Sequence, residues 1–197
     1  MILRPSFYSP VLICLACCSV VMAEQEPAPR TLFQFKSPDA GRLWRTVNDG
    51  VMGGRSEGRF RITPEKNLSF YGNLSLARNG GFASVRSPSQ TLGLRAGDTI
   101  VMRVRGDGRN YSLNLYTAER RMAFSYRSFF RTRKDAWTTI SIPVDRFQAT
   151  SFGRTVRNLS LDPRSVTGVG ITLADKKSGA FKLDIASVTV AGAQPSN

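Results

Sequence analysis

Between residues 31 and 190 the sequence holds no long amphipathic helical pattern. It repeats short alternating or β-branched runs with Gly, Asn, Asp or Pro at their borders. A run that is apolar at every second position buries only one face, so such strands need a second sheet to cover them. Strands are expected over 67–76, 81–86, 99–105, 110–117, 122–130, 137–144, 168–173 and 181–190. In 99–105, Ile100, Met102 and Val104 point one way and Val101, Arg103 and Arg105 the other. Gly106-Asp107-Gly108, which follows, has the residues that tolerate a tight hairpin. Ser37-Pro38-Asp39 is suited to start one short helical turn, with Ser as cap and Pro at the first helical position. The expected fold class is all-β, a two-sheet antiparallel β-sandwich of jelly-roll type. Such a sandwich binds through a concave sheet face or through the loops at one end.

The ends of the 197-residue chain differ from this middle. Residues 1–23 carry Arg4 as their one charge, an apolar run from Val11 to Met22 and a small-residue site at Val21-Met22-Ala23. They read as a signal peptide. The apolar run is shorter than the ~20 residues of a bilayer-crossing helix, so no membrane span is expected after cleavage. A mitochondrial presequence is the alternative, but it would be richer in Arg and amphipathic. Cys17 stands where a lipoprotein would be processed, yet Cys14 replaces the aliphatic residue that pattern needs. Residues 24–30 read as a flexible leader, 31–190 as one domain and 191–197 as a flexible tail. The protein is expected to be exported, periplasmic or secreted, and monomeric.

The inventory of reactive side chains is short. The chain has no His, and its three cysteines, Cys14, Cys17 and Cys18, all fall in the signal segment. Ser-His-Asp and Cys-His catalysis are therefore excluded, as is a zinc site with nitrogen or sulfur ligands. The carboxylates are scattered singly, without the facing pair that a glycosidase uses. Asp49, Asp107, Asp175 and Asp184 lie in or near loops as oxygen ligands suited to calcium, but no Asp-x-Asp spacing occurs, and no metal or cofactor is expected. No enzyme activity is expected.

Charge points outward instead. Lys and Arg number 28 against 14 Asp and Glu, a net +14, and the excess is mostly Arg. Guanidinium groups pair in a planar, bidentate way with carboxylates, phosphates and sulfates. Anionic polymers, anionic lipid surfaces and acidic proteins are the partner classes this balance admits. Tyr111, Tyr116, Tyr126, Phe129 and Phe130 interleave with Arg127 and Arg131, a mix that stacks on sugars or bases or else fills a core. Export argues against nucleic acid.

Trp44 followed by Val47-Asn48-Asp49-Gly50-Val51-Met52-Gly53-Gly54 and Ser56, then Phe70-x-Gly72-x-Leu74-Ser75-Leu76 and Asn79-Gly80-Gly81-Phe82-Ala83-Ser84, form an ordered series of motifs. It continues through Val104-Arg105-Gly106-Asp107-Gly108-Arg109-x-Tyr111, Trp137-x-x-Ile140-x-Ile142-Pro143 and Asp175-Lys176-x-x-Gly179-x-Phe181. This series resembles the complex I intermediate-associated protein 30 family over nearly the whole mature chain. The resemblance implies a galactose-binding-like β-sandwich, akin to some carbohydrate-binding modules. It also implies a non-catalytic role, since the eukaryotic members assist assembly of respiratory complex I in mitochondria.

Within the first motif, Trp44 is read as a buried anchor, Gly53 and Gly54 as backbone specialists, and Met52 as a plug in the core or the lip of a pocket. Trp137 is the second anchor. Asn48, Asp49, Met52, Arg55, Ser56, Arg86, Arg105, Asp107, Arg109 and Tyr126 are the residues expected to meet a partner. That partner is a protein or an anionic glycan. The alternative is a carbohydrate-binding protein with sugars stacked on Tyr116, Tyr126 or Trp137.

Overall fold

The computed structural model describes residues 28–119 and 123–192. Thirteen strands form two antiparallel sheets, with short 3-10 turns as the helical elements of the described residues. The first sheet has the order β3 (Glu57–Ile62), β4 (Leu68–Leu74), β13 (Gly179–Ala191), β6 (Thr99–Arg105), β9 (Trp137–Pro143), and β1 (Arg30–Gln34) pairs with β13 beside β4. The second runs β11 (Arg154–Thr155), β10 (Gln148–Ser151), β8 (Phe124–Arg131), β7 (Asn110–Thr117), β12 (Val166–Leu173), β5 (Ala83–Arg86), β2 (Arg45–Asn48). No described helix is long and apolar enough to cross a membrane.

Alternation builds the core between the sheets. Ile100, Met102 and Val104 of β6 are fully buried, as the sequence pattern requires. They face Tyr111, Leu113 and Leu115 of β7 and Val169, Ile171 and Leu173 of β12 across the interior, within one cluster. Each such side chain stabilises the fold by about 1.5–3 kcal/mol relative to exposure. Trp44, just before the edge strand β2, is buried edge-on against Phe33 and Phe35, with ring centroids 5.2 and 5.6 Å away. It closes the sandwich at that edge.

Five strands were not expected from the sequence: β1, β2, β3, β10 and β11. Strand β3 alternates Gly58, Phe60 and Ile62 with Glu57, Arg59 and Arg61, so its inward face contains a glycine and its outward face is all charge. Strand β1 starts at Arg30, inside the segment read as a leader, and β13 reaches Ala191. The signal segment, most of the leader and 193–197 lie outside the described residues. The short turn at Ser37 forms as a 3-10 helix, Pro38–Gly41, although the Ser37 side chain makes no capping bond. Gly106-Asp107-Gly108 does not make a hairpin. It arches from β6 in one sheet to β7 in the other, with Gly108 at φ +88°.

Five of the connections that pass between the sheets gather at one end of the sandwich. β2 to β3, β4 to β5, β6 to β7, β8 to β9 and β12 to β13 all cross there. The register fixes this. Asn48 lies opposite Ala83, Ala83 opposite Leu173, Leu173 opposite Tyr111 and Tyr111 opposite Phe130, while Leu74 lies opposite Gly179 in the other sheet.

Candidate functional site

At the crossing end, the Asn48–Gly54 stretch wraps around one carboxylate. Asp49 is fully buried and accepts four hydrogen bonds into two loops. Ser56 donates from its amide at 2.8 Å and its hydroxyl at 2.5 Å, and the amides of Gly81 and Phe82 donate at 2.6 and 3.3 Å. Burial works to raise the Asp49 pKa, but these donors outweigh it and hold the carboxyl below its ordinary range. Gly54 and Gly80 are required by close approach, since a Cβ on either would fall inside the Asp49 carboxyl. Gly53 closes the turn at φ +86°, where an L side chain is strained.

Asn48 donates to the Gly58 carbonyl at 3.0 Å. Asn48, Asp49 and Ser56, expected from the sequence to meet a partner, are thus engaged within the protein. Their polar groups are turned into the protein and serve the loop. Met52 points the other way: it is 60 % exposed and does not plug the core. Arg55 is exposed next to it.

A second clamp holds the neighbouring loops. The Arg109 guanidinium binds Asp175 in a bidentate pair at 2.6 and 3.0 Å and donates to the carbonyls of Lys177, Gly179 and Ala180. Asp107 accepts from the Arg109 amide, the Tyr111 hydroxyl and the Lys182 amide. Burial pushes the Tyr111 phenol far up, and the Asp107 charge adds to it. Asp107 and Arg109, both expected to meet a partner, thus fasten the loops to one another. Tyr126, also expected to meet a partner, faces the core and donates to the Ser160 carbonyl at 3.1 Å.

Arg105 lies on the outer face of the first sheet, paired with Asp184 at 2.9 Å. Its guanidinium carbon is 5.1 Å from the Trp137 ring centroid, and that of Arg103 is 5.7 Å away. Trp137 is part of this outer layer and does not reach the core. Among the described residues no three acidic side chains converge as a metal site.

Of the expected residues, Arg86 alone falls in a different kind of place. Register aligns Arg45, Arg86, Gly170, Asn114, Arg127 and Gln148 in one row across the second sheet. Because Leu113 and Leu115 face the core, Ser112, Asn114 and Tyr116 face away from it, and so do Arg86 and Arg127. Arg86 and Arg127 stand three ladder spacings apart, about 14 Å at the backbone. Between them β12 contributes Gly168 and Gly170, which raise no side chain. Tyr116 lies in that space, close enough that a Cβ on Gly170 would sit 2.9 Å from its ring.

The Arg86 guanidinium stacks over Tyr116 at 4.8 Å, and its buried Nε has no hydrogen-bond partner. Arg127 Nε donates to Asn114 Oδ1 at 2.9 Å. Asn114 is fully buried and is held by Ser125 at 3.1 Å and Thr172 at 3.0 Å. Burial lowers the Arg127 pKa, while burial raises the Tyr116 phenol against the opposing field of Arg86, Arg127 and Arg45. No ion pair joins Arg45, Arg86 or Arg127 to a carboxylate among the described residues. Three guanidiniums thus stand in one row without a counter-charge, one of them half-buried on a fixed amide, and such groups pair readily with anions. Arg45 and Asn114 were not picked out from the sequence, because only cross-strand register brings them to Arg86.

The architecture is a two-sheet antiparallel β-sandwich of the kind found in carbohydrate-binding modules. The fold superposes on the family 11 carbohydrate-binding module of a cellulosomal cellulase from Clostridium thermocellum with a TM-score of 0.57 at 15% identity, covering 84% of this chain and 95% of that one. It also superposes on part of an agarase, with a TM-score of 0.60 at 11% identity, covering 88% of this chain and 25% of that one. The family model of complex I intermediate-associated protein 30 (CIA30) matches residues 33–185, and the chain belongs to that family. Two curated relatives, both named "Complex I intermediate-associated protein 30, mitochondrial", are 28% identical: one from Mus musculus, over 79% of this chain and 54% of that protein, and one from Drosophila melanogaster, over 78% and 60%. The chain thus matches somewhat more than half the length of these relatives. Their mitochondrial naming agrees with the second of the two locations read from the sequence.

Proposed function

We propose that this chain is a non-catalytic binding module of the CIA30 family that recognises an acidic surface through the arginine face of its second sheet. The observation that carries this reading is the row Arg45, Arg86 and Arg127, which has no carboxylate partner and is seated on a buried polar network. A half-buried guanidinium without a counter-charge costs stability. Retaining the partly buried Arg86 and Arg127 in one row with the exposed Arg45 is explained if an anionic partner completes the site. The names of the relatives point to a protein partner held during assembly, and the same role is assigned here.

A second reading, an anionic glycan, draws on the same face, since guanidiniums beside Tyr116 suit uronate or sulfate groups. Stacking of neutral sugars has less support. Tyr126 is buried, and Tyr116 and Trp137 each carry a guanidinium over the ring.

The test compares the wild type with the combined Arg45→Ala, Arg86→Ala and Arg127→Ala variant. Cross-linking in the cells of origin is expected to capture a defined protein with the wild type and to lose it with the variant. Titration with neutral and acidic oligosaccharides runs alongside, and variant-sensitive binding of the acidic ones alone would replace the protein partner by a glycan. Capture and titration both indifferent to the three substitutions would end the reading of this face as a site.

A further inference from the structure

The loops at the crossing end lie away from the arginine face and present a different chemistry. Val51, Met52 and Leu76 are 73, 60 and 43 % exposed. They are displayed by the two loops that hang from the Asp49 carboxylate, so an internal network supports the apolar tip. Around it Arg55, Arg78, Lys176 and Lys177 are all exposed. An open hollow of about 520 Å³ at the same end is lined by Arg131, Arg133 and Lys134 with Gly108 and Thr132.

The acids of this end do not balance these cations. Asp49, Asp107 and Asp175 are spent on backbone amides and Arg109, Glu57 pairs with Arg59, and the exposed Asp135 of the β8–β9 connection stands against seven exposed cations, Arg55, Arg78, Lys176, Lys177, Arg131, Arg133 and Lys134. Exposed Asp39, Glu65, Asp145 and Asp162 sit in other connections, away from the loops that cross here. The fold therefore concentrates uncompensated positive charge around exposed apolar side chains.

We propose that this end docks on an anionic lipid bilayer, with Val51, Met52 and Leu76 entering the interfacial layer and the surrounding cations meeting lipid phosphates. Three apolar side chains cover far less than the roughly 800 Å² per partner of a stable protein interface. Cations dispersed over several loops meet no single fixed counterpart. A planar and laterally mobile array of phosphates satisfies them without shape complementarity, and a small apolar tip adds depth.

The chain from Glu24 onward, which keeps every described residue, lacks cysteine, so Met52→Cys provides a unique thiol for an environment-sensitive fluorophore. The label is expected to shift to the blue with phosphatidylglycerol-containing vesicles and not with phosphatidylcholine alone. A label at Arg154→Cys, on the β10–β11 hairpin away from the crossing loops, is expected to stay unchanged. Co-sedimentation with the anionic vesicles should fall by at least about tenfold in the Val51→Asp and Met52→Asp double variant, as the apolar part of interfacial binding is lost. It should persist when Arg45, Arg86 and Arg127 are replaced, which separates this contact from the arginine face. Circular dichroism confirms that the exposed substitutions leave the fold intact. No binding to anionic vesicles would overturn the proposal. So would binding indifferent to the double variant, which is adsorption by charge alone, or a Met52 label that stays in water.

Discussion

Asp49 shows how one buried carboxylate organises a loop. It sits under two loops and accepts from Ser56, Gly81 and Phe82, which makes it an internal replacement for the hydration those donors would otherwise need. Replacing it with Asn leaves the shape but turns an NH2 group toward N–H and O–H donors. Asp49→Asn is therefore expected to cost about 3 kcal/mol at neutral pH, the scale of a lost charge-assisted network. Burial works against the carboxylate and its donors work for it, and the net direction is a folded pKa below the unfolded 3.8. The stability it contributes is fully present above that value and is lost as pH falls through the folded pKa. Asp175 adds to the same acid limb, since the Arg109 pair and the Lys177 amide overcome its burial in the same direction. Urea denaturation of wild type and Asp49→Asn at several pH values is expected to show a gap that is constant near neutrality and narrows below about pH 4.

Elements succeed or fail in legibility according to how local their signal is. Strand β6 was readable because Ile100, Met102 and Val104 are consecutive inward positions, and all are fully buried. The same reading failed for β2 and β3, where the loop motif and a glycine break the apolar alternation. In the Trp44–Ser56 motif the sequence marked a turn, while the inward direction of Ser56 and the outward direction of Met52 depend on contacts with a loop about thirty residues away. The arginine row was less readable still. Its members come from β2, β5, β12, β7, β8 and β10, and it exists only through register, which no stretch of those strands declares by itself. Strand β12 is the part of the row that can be tested without touching a charge. Its Gly170 leaves the space that Tyr116 fills, with Arg86 stacked on the ring. Gly170→Val is expected to push Tyr116 off the sheet, cost about 1–3 kcal/mol through overpacking, and weaken partner binding by at least about tenfold. Gly168→Ala has its nearest contact at 3.3 Å, from the Ser87 hydroxyl, and serves as the comparison. Thermal melts and the cross-linking yield separate the two effects.

At the scale of the molecule, the +14 balance understates how basic the surface is. Several acids are internal fastenings: Asp49 and Asp107 accept mainly from backbone and hydroxyl donors, and buried Asp98 accepts from the Arg95 amide. Their neighbours gain rigidity, while the exposed arginines and lysines are left to repel one another across both sheet faces and the crossing end. Such self-repulsion disfavours the compact state, and it is the same charge that attracts an acidic partner or an anionic bilayer. Salt therefore acts with opposite signs on the two. Screening weakens repulsion between exposed cations more than it weakens the buried Asp49 network or the Arg109–Asp175 pair, which lie largely out of reach of the ion atmosphere. Raising ionic strength from low salt to about 0.5 M is expected to raise Tm by a few degrees. Over the same range, binding to acidic partners or phosphatidylglycerol vesicles should fall steadily, as exposed charge pairs are screened. Scanning calorimetry and vesicle co-sedimentation at matched salt concentrations measure both trends. A Tm that falls with salt would mean that attractive surface pairs outweigh repulsion, contrary to a fold that has turned so many of its acids inward.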